Sequence, residues 1–387
     1  MADPAVRSAP LIGIVAGEAS GDLLGAHLIQ AVKQAVPGAR FAGIAGPRMQ
    51  GAGAQALFPM EKLAVRGYTE VLRNYLELAG MRRRLAAHLL RERPRLFVGI
   101  DAPDFNLDLE LKLKAAGIPT VHYVSPSIWA WRGGRIHKIK RAVSKMLTLF
   151  PFEQAIYERA GVPVAYVGHP LAGVFGDFPD VAAMREQLRL PAAAKVVTLL
   201  PGSRVSELVH MADLFVAAAR RIADAVPGAR FLAPLVSRET RALFEAALYR
   251  AAGGGPEITM LFGHSHEAMA AADVVLVASG TATLEAALLR RPMVITYKVS
   301  RLTAMIHRHQ GYLPYVGLPN ILAGEFIVPE FLQEEATPEN LSQAVVNLLF
   351  DAGVRGRTEA RLARMQAELR QDTGRRAAEA ILPLLAA

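Results

Sequence analysis

From residue 11 onward the chain alternates short apolar runs with stretches of helical periodicity, and most of the apolar runs stop at Gly, Ser or Pro. Parallel strands need a crossover of a dozen or more residues, usually a helix, so this alternation points to βαβ units and a parallel sheet. In the first half the strand-like runs are LIGIVA (11–16), FAGIAG (41–46), LFVGID (96–101), TVHYVS (120–125), KMLTLF (145–150) and VAYVG (164–168). The first helix is expected from Asp22 to Val36, with Leu24, Leu28, Ala31 and Ala35 on one face and a Pro-Gly stop.

A Gly/Pro-rich stretch, GHPLAGVFGDFPD (168–180), reads as a linker, and a second series follows it. Its strands are KVVTLLPG (195–202), RFLAPLV (230–236), ITMLFG (258–263), VVLVASG (274–280) and MVITYKV (293–299), and the tail from Pro338 is helical. Both halves open alike, LIGIVAGEASGD and VVTLLPGSRVSE each being strand, Gly/Ser loop, helix. The expected fold class is α/β: two doubly wound Rossmann-like domains facing a cleft, with binding loops at the carboxyl ends of the strands. The domains are 1–172 and 173–345, and helices 346–387 cross back to the first domain or exchange in a dimer. A chain of 387 residues also exceeds the size at which a single core keeps growing.

Hydrophobic residues make up 52% and charged residues 20%, which excludes a disordered chain. The absence of cysteine excludes disulfides, thiolate metal sites and cysteine nucleophiles, and agrees with a reducing compartment. The net charge of +9 calls for an anionic partner: nucleic acid, anionic lipid or a phosphorylated substrate. Six basic residues and no acid lie between Arg132 and Lys145; between Glu61 and Arg95 nine basic residues are interleaved with four acids. No apolar run reaches the about 18 residues of a membrane-spanning helix. Arg7 and the apolar run after it imitate a signal peptide, but Glu18 and Asp22 follow at once, so the run is the first strand and a cytoplasmic location is expected.

The loops carry the chemistry. In PGSR (201–204), Gly202 and Ser203 open a helix whose N–H groups and dipole, worth roughly half a positive charge, favour an anion. Arg204 adds a bidentate donor for phosphate oxygens; a plain turn with a solvated arginine is the alternative. In ASGTATLEAALL (278–289), Ser279, Gly280 and Thr281 are small enough for backbone amides to approach a diphosphate. Glu285, one turn on, suits ribose hydroxyls unless it is only a solvated helix residue. Asp101 ends an apolar strand in GIDAPDFN (99–106). Its spacing fits a general base and a helix cap equally, and Asp104 competes for both roles.

Trp129 and Trp131 either line a groove for a sugar or acyl chain or anchor their loop, and His122 is expected to be a satisfied core residue. Asn320 in GLPNILAG (317–324) is either a ligand-recognising amide or part of a turn. GHSHE (263–267) has two histidines without a third metal ligand and fits a loop capping the next helix. In GEASGD (17–22) there are two acids and no phosphate-binding lysine.

VAGEASGD, AGPRM, FVGIDAPDFN, HYVSPSIWAW, LLPGSR, ASGTATLE and LPNILAG occur in the order found in the lipid-A-disaccharide synthase family, which the chain resembles from about residue 11 to 335. The resemblance implies an inverting glycosyltransferase of the two-domain GT-B architecture. Such an enzyme joins UDP-2,3-diacylglucosamine to 2,3-diacylglucosamine 1-phosphate (lipid X), releasing UDP. It further implies that the second domain holds UDP through Gly202, Ser203, Arg204, Ser279, Gly280, Thr281 and Glu285, with Asn320 near the sugar or phosphates. The first domain would receive the acceptor, and Asp101 would deprotonate its 6-hydroxyl. Glu18 is the other candidate base, and Ser20 meets the reacting sugar or the lipid X phosphate, or only caps its helix together with Asp22. Arg204 would stabilise the leaving UDP, and neither a metal nor another cofactor is expected.

Lipid substrates bring such an enzyme to the cytosolic face of the inner membrane as a peripheral protein. Val65, Val71, Leu72, Leu76 and Trp129 are the expected membrane or acyl contacts; a core-facing helix with outward arginines is the alternative for segment 61–95. A homodimer is compatible with this picture and nucleic acid is not expected as a partner. The alternatives are another UDP-sugar enzyme of the same fold, a 2-epimerase or the lipid-linked transferase of peptidoglycan synthesis, and, further off, a non-catalytic basic module.

Overall fold

A computed structural model describes residues 9–63, 71–130, 133–175, 180–251, 256–298 and 314–386. The chain divides into two compact units, residues 1–170 with 369–387 and residues 171–368. Each is built on its own parallel sheet, so the chain comprises two parallel-sheet α/β domains.

In the first unit the strands are β1 (Leu11–Ala16), β2 (Arg40–Ala45), β3 (Ala54–Pro59), β4 (Leu96–Ile100), β5 (Thr120–Tyr123), β6 (Lys145–Thr148) and β7 (Val164–Tyr166). Their order in the sheet is β3-β2-β1-β4-β5-β6-β7. In the second unit they are β8 (Val196–Leu200), β9 (Arg230–Leu235), β10 (Ile258–Phe262), β11 (Val274–Ala278), β12 (Met293–Tyr297) and β13 (Glu330–Leu332), ordered β10-β9-β8-β11-β12-β13. β4, β8 and β11 are buried at every residue, as parallel strands covered by helices on both faces must be. β3 and β13 escape the sequence pattern because they are edge strands with mixed exposure and no continuous apolar run.

The two sheets share one winding. In each, the order reverses beside the first strand, between β1 and β4 and between β8 and β11. Loops leaving such neighbours diverge to opposite faces and leave a crevice at the strand ends. Four of the loops singled out by sequence follow these strands: 17–22 after β1, 101–106 after β4, 201–204 after β8 and 279–285 after β11.

The tail divides between the units. The helix Pro338–Phe350 and most of Ala352–Leu369 belong to the second, whereas Thr373–Ala386 packs in the first against the helix Ala19–Ala35. A Cβ at Gly374 would come within 3.0 Å of the His27 carbonyl oxygen, which marks how closely those two helices approach.

The helix Val71–Glu92 buries Met81, Leu85, Ala86 and Leu89 in the first core and leaves Arg83 and Arg84 exposed. From Met81 onward this helix is therefore the core-facing alternative. Val65 lies outside the described residues, as do the side chains of Val71, Leu72 and Leu76. The basic run after Arg132 is partly neutralised, with Arg135 paired to Asp104 and Lys138 to Asp108. Among the described residues no helix is long and apolar enough to cross a membrane.

Candidate active site

The β1 and β4 loops meet because their strands are neighbours in register, Ala16 opposite Ile100. Gly17 permits the approach: a Cβ there would lie 2.7 Å from the Ala102 Cβ. Asp101 and Ala102 both adopt left-handed backbone conformations, φ +52° and +43°, rare for residues with side chains. Three bonds hold this turn. The Asp101 N–H donates to the Tyr123 carbonyl at 2.8 Å, and Asn106 Nδ2 donates to the carbonyls of Asp101 at 2.8 Å and Ile100 at 3.4 Å.

The turn aims the half-buried Asp101 carboxyl at Glu18. Burial raises its pKa above the ordinary aspartate range, the nearby Glu18 raises it further, and His122 and the Ala102 N–H pull it down. The helix Pro103–Ala115 begins at an Ala102 cap without a side-chain bond, so Asp101 does not cap it. Asp104 is largely exposed and pairs with Arg135, away from this role.

Ser20 donates its hydroxyl to Glu18 Oε1 at 2.8 Å within the first turn of its helix. Asp22 corrects the capping expectation: it is 3% exposed and accepts the N–H groups of Arg48 at 2.9 Å and Met49 at 3.0 Å. It caps the neighbouring helix Pro47–Gly51 rather than its own, and Gly46 leaves room for its carboxylate.

His122 also departs from expectation. It is fully buried, its Nδ1 lies 2.7 Å from Glu110 Oε1, and its Nε2 has no hydrogen-bond partner among the described residues. Glu110 Oε2 and Asn106 Oδ1 are likewise unpartnered there. An unpaired buried polar atom costs about 1–3 kcal/mol. The available signal was a polar pair four residues apart, Asn106 and Glu110, on an otherwise apolar helix face.

Trp129 is partly buried, donates Nε1–H to Glu153 Oε1 at 3.1 Å and packs edge-on against Phe152 at 5.4 Å. Burial pushes the Glu153 carboxyl up to about 7.

In the second unit the structure separates two loops that look equivalent in sequence. Glu207 Oε2 accepts the N–H groups of Ser203 at 2.8 Å and Arg204 at 3.1 Å. The expectation that these amides are free for an anion is corrected: the helix Val205–Ala225 already has a carboxylate on its first turn. Gly202 makes this possible with φ +129° and no side chain, since a Cβ would lie 2.7 Å from Glu207. The Arg204 side chain is 79% exposed, its guanidinium 3.9 Å from Glu207 Oε1.

The helix Thr281–Leu288, by contrast, starts at Gly280 with no side-chain cap, and a Cβ at Gly280 would meet nothing within 4 Å. Among the described residues no side chain caps its first amides, and the Thr283 N–H donates to the Gly280 carbonyl at 3.1 Å. The Ser279 N–H donates to the Thr296 carbonyl, which fixes the start of the loop. Glu285 Oε2 lies 3.1 Å from His266 Nε2, and that bond raises the His266 pKa; Phe175 packs edge-on against the same ring at 4.8 Å. His264 takes the left-handed N-cap position of the helix Ser265–Ala271, its side chain paired with Glu267. Among the described residues no group of three or more Asp, Glu or His side chains is arranged to hold a metal ion.

Asn320 is corrected as well. Its Nδ2 donates to the Val328 carbonyl at 2.9 Å and to Glu330 Oε1 at 2.7 Å, and its Oδ1 accepts the N–H groups of Ile327 at 2.8 Å and Val328 at 3.0 Å. The amide is spent inside the protein and has no capacity left for a sugar or phosphate. Glu330, absent from the sequence reading, also accepts the N–H groups of Val316 and Gly317 at 2.9 Å each. Together Asn320 and Glu330 hold the 316–328 stretch beside Ser279, whose hydroxyl donates to the Val316 carbonyl at 3.4 Å.

Comparisons with known proteins bear on the whole chain. The sequence profile of a family described as lipid-A-disaccharide synthetase matches residues 12–383. The lipid-A-disaccharide synthase of Methylobacillus flagellatus is 56% identical over 376 residues, covering 97% of this chain and 100% of that protein. That of Dechloromonas aromatica is 53% identical over 379 residues, covering 98% and 99%. Among solved structures, UDP-GlcNAc 2-epimerase from Neisseria meningitidis superposes with a TM-score of 0.61 at 10% identity, over 97% of this chain and 99% of that one. Acinetobacter baumannii MurG gives 0.57 at 14% identity, over 96% and 98%. Likenesses this distant establish a shared GT-B-type Rossmann fold and no more. The sequence match discriminates where the fold does not: running through both sheets and the four loops at their reversal points, it shows that the chain belongs to the lipid-A-disaccharide synthetase family.

Proposed function

We propose that the protein is an inverting hexosyltransferase that forms the lipid A disaccharide from UDP-2,3-diacylglucosamine and 2,3-diacylglucosamine 1-phosphate, releasing UDP. Family membership supports the hexosyltransferase activity, and the epimerase and peptidoglycan alternatives have only the fold in their favour. The observation that carries the mechanism is the Asp101–Glu18 carboxyl pair at the β1/β4 reversal point. A carboxyl held above its usual range by burial and a like charge is matched to proton abstraction near neutral pH.

The acceptor's 6-hydroxyl loses its proton to Asp101 as its oxygen bonds the anomeric carbon. The bond from that carbon to the UDP phosphate breaks, and the electron pair leaves with UDP. Glu18, braced by Ser20, holds sugar hydroxyls and tunes Asp101. On the donor side the uncapped amides of Thr281 and Ala282 receive a phosphate, the exposed Arg204 neutralises charge developing on UDP, and Glu285 accepts from the ribose. Ser279 sets this loop, and Asn320 acts by shaping the stretch beside it.

The substrates' acyl chains place the working enzyme at a membrane surface, as a peripheral protein on the cytosolic face of the inner membrane. Val65, Val71, Leu72 and Leu76 are the proposed lipid contacts, with Trp129 nearer the acceptor. High salt should release the protein from membranes, and full recovery in the soluble fraction at low salt would count against the contact. The activity itself is tested by incubating purified protein with UDP-diacylglucosamine and lipid X and detecting the disaccharide 1-phosphate by mass. Conversion of a different UDP-sugar without disaccharide would overturn the assignment.

A further inference from the structure

The turn that carries Asp101 is an unfavourable piece of backbone. Asp101 and Ala102 stand consecutively in the left-handed region, at φ +52° and +43°, and neither is a glycine. Residues with side chains rarely adopt that conformation, and it persists where surrounding contacts over-determine it. Here much of that restraint comes from one residue. Asn106 donates from its side-chain Nδ2 to the carbonyls of Asp101 at 2.8 Å and Ile100 at 3.4 Å, and from its backbone N–H to the Ala102 carbonyl at 3.0 Å. Three successive carbonyls thus converge on it. A carbonyl oxygen only accepts, so the amide nitrogen, and not the amide oxygen, is the atom that faces this turn. Asn106 is fully buried in the helix Pro103–Ala115. Gly99 on β4 admits it: a Cβ there would lie 2.9 Å from both the Cβ and the Cγ of Asn106.

We propose that Asn106 is a positioning residue for Asp101: its amide clamps the carbonyls at the end of β4, so that the left-handed turn holds the carboxyl where the acceptor's hydroxyl arrives. The inference rests on the reading of Asp101 as the base. The direction of a side chain from its Cα follows from the two backbone torsions beside it, and both are restrained here. The Tyr123 carbonyl accepts the Asp101 N–H at 2.8 Å on one side of the Cα, and Asn106 holds the Asp101 carbonyl at 2.8 Å on the other. The first bond runs between backbone groups, whereas the second comes from a side chain and is lost when that side chain is changed. Without it Asp101 is free to relax from φ +52° toward the extended region, which swings its carboxyl off the acceptor. A displacement of about 1 Å at a reacting group costs on the order of 100-fold in rate. Asn106 acts through Asp101 and takes no part in the proton transfer itself.

The test is steady-state disaccharide formation, with UDP calorimetry and a thermal melt, on Asn106→Leu and Asn106→Ser, each alone and combined with Asp101→Asn. Leucine keeps the volume without a donor. Serine keeps a hydroxyl, which inside a helix bonds the carbonyl one turn back, here that of Ala102, and leaves the Asp101 carbonyl unheld. In both single variants kcat should fall about 10- to 100-fold, with UDP affinity and KM for the UDP-sugar changed by no more than about twofold. In the Asp101→Asn background the same substitutions should leave the residual turnover within about twofold, because a clamp has nothing to do once the group it aims is gone. Wild-type kcat in either single variant, or a parallel loss of kcat and UDP affinity, overturns the proposal. So does a further drop of residual turnover in the double variants, which marks a structural role. If Asn106→Leu does not fold, Asn106→Ser decides alone. Asp101→Asn by itself separates the two levels: wild-type turnover there removes the base assignment, whereas loss of turnover there with unchanged kcat in the Asn106 variants removes the positioning role only.

Discussion

Glu207 folds its carboxylate back onto the turn before its own helix and accepts the Ser203 N–H at 2.8 Å. The contact exists because Gly202 has φ +129° and no side chain in the 2.7 Å that a Cβ would leave to Glu207. Gly202→Ala should therefore push Glu207 off the turn and strain the backbone, costing about 1–2 kcal/mol. UDP affinity should fall with it, because Arg204 starts from the same turn. Urea unfolding and calorimetry with UDP check the two effects; a variant with wild-type values in both would show the turn to be unimportant.

Asp101 and Glu285 should separate chemistry from binding. Asp101→Asn keeps the shape of the strand end but cannot accept a proton, so kcat should fall at least about 100-fold while UDP affinity is retained. Glu285→Ala should weaken UDP about tenfold, with its larger effect on KM for the UDP-sugar. Calorimetry with UDP on both variants, beside the disaccharide assay, reads the split. Collapse of UDP affinity in Asp101→Asn would falsify its assignment as the base.

Glu153 predicts a pH dependence of stability near Trp129. Burial raises its carboxyl from 4.5 to about 7, so the folded state holds the proton more tightly than the unfolded state. The stabilisation is complete below pH 4.5 and declines as pH rises through 7, a change of about 3 kcal/mol for a shift of this size. Glu153→Gln cannot ionise and should lack this decline. Denaturant melts of both proteins across that window should therefore diverge, and parallel curves would place the charge elsewhere.

Asn320→Ala should destabilise the second unit by about 2–4 kcal/mol, since it strands the N–H groups of Ile327 and Val328 and one acceptor oxygen of Glu330. Because the amide has no bonding capacity left for ligand, any loss of UDP affinity should scale with the loss of stability. A large affinity loss at unchanged stability, by calorimetry and urea unfolding, would return Asn320 to the ligand.

Much of the architecture is local and was legible. The run from Leu11 to Ala16 is a strand with those bounds, and the other predicted strands end within a few residues of the observed ones, residues such as Asp101, Val124, Leu149 and Gly280 lying beyond the strand ends. Strand gives way to loop at Asp101, Pro201 and Ser279, where the apolar runs end.

Sequence by itself determined the alternating elements, the pairing of strand ends with polar loops, and through its motifs the family. Tertiary structure decided which groups meet. Glu18 and Asp101 are neighbours only because β4 crosses over to pair with β1; Asp22 caps a helix that is not its own; Asn320 satisfies itself on Glu330; and His122 finds Glu110 in the space left by Gly99. Periodicity and turn chemistry act over a few residues and can be read along the chain. Competition for buried donors and acceptors is settled only when distant segments pack, so the sequence located the loops while the fold assigned their side chains.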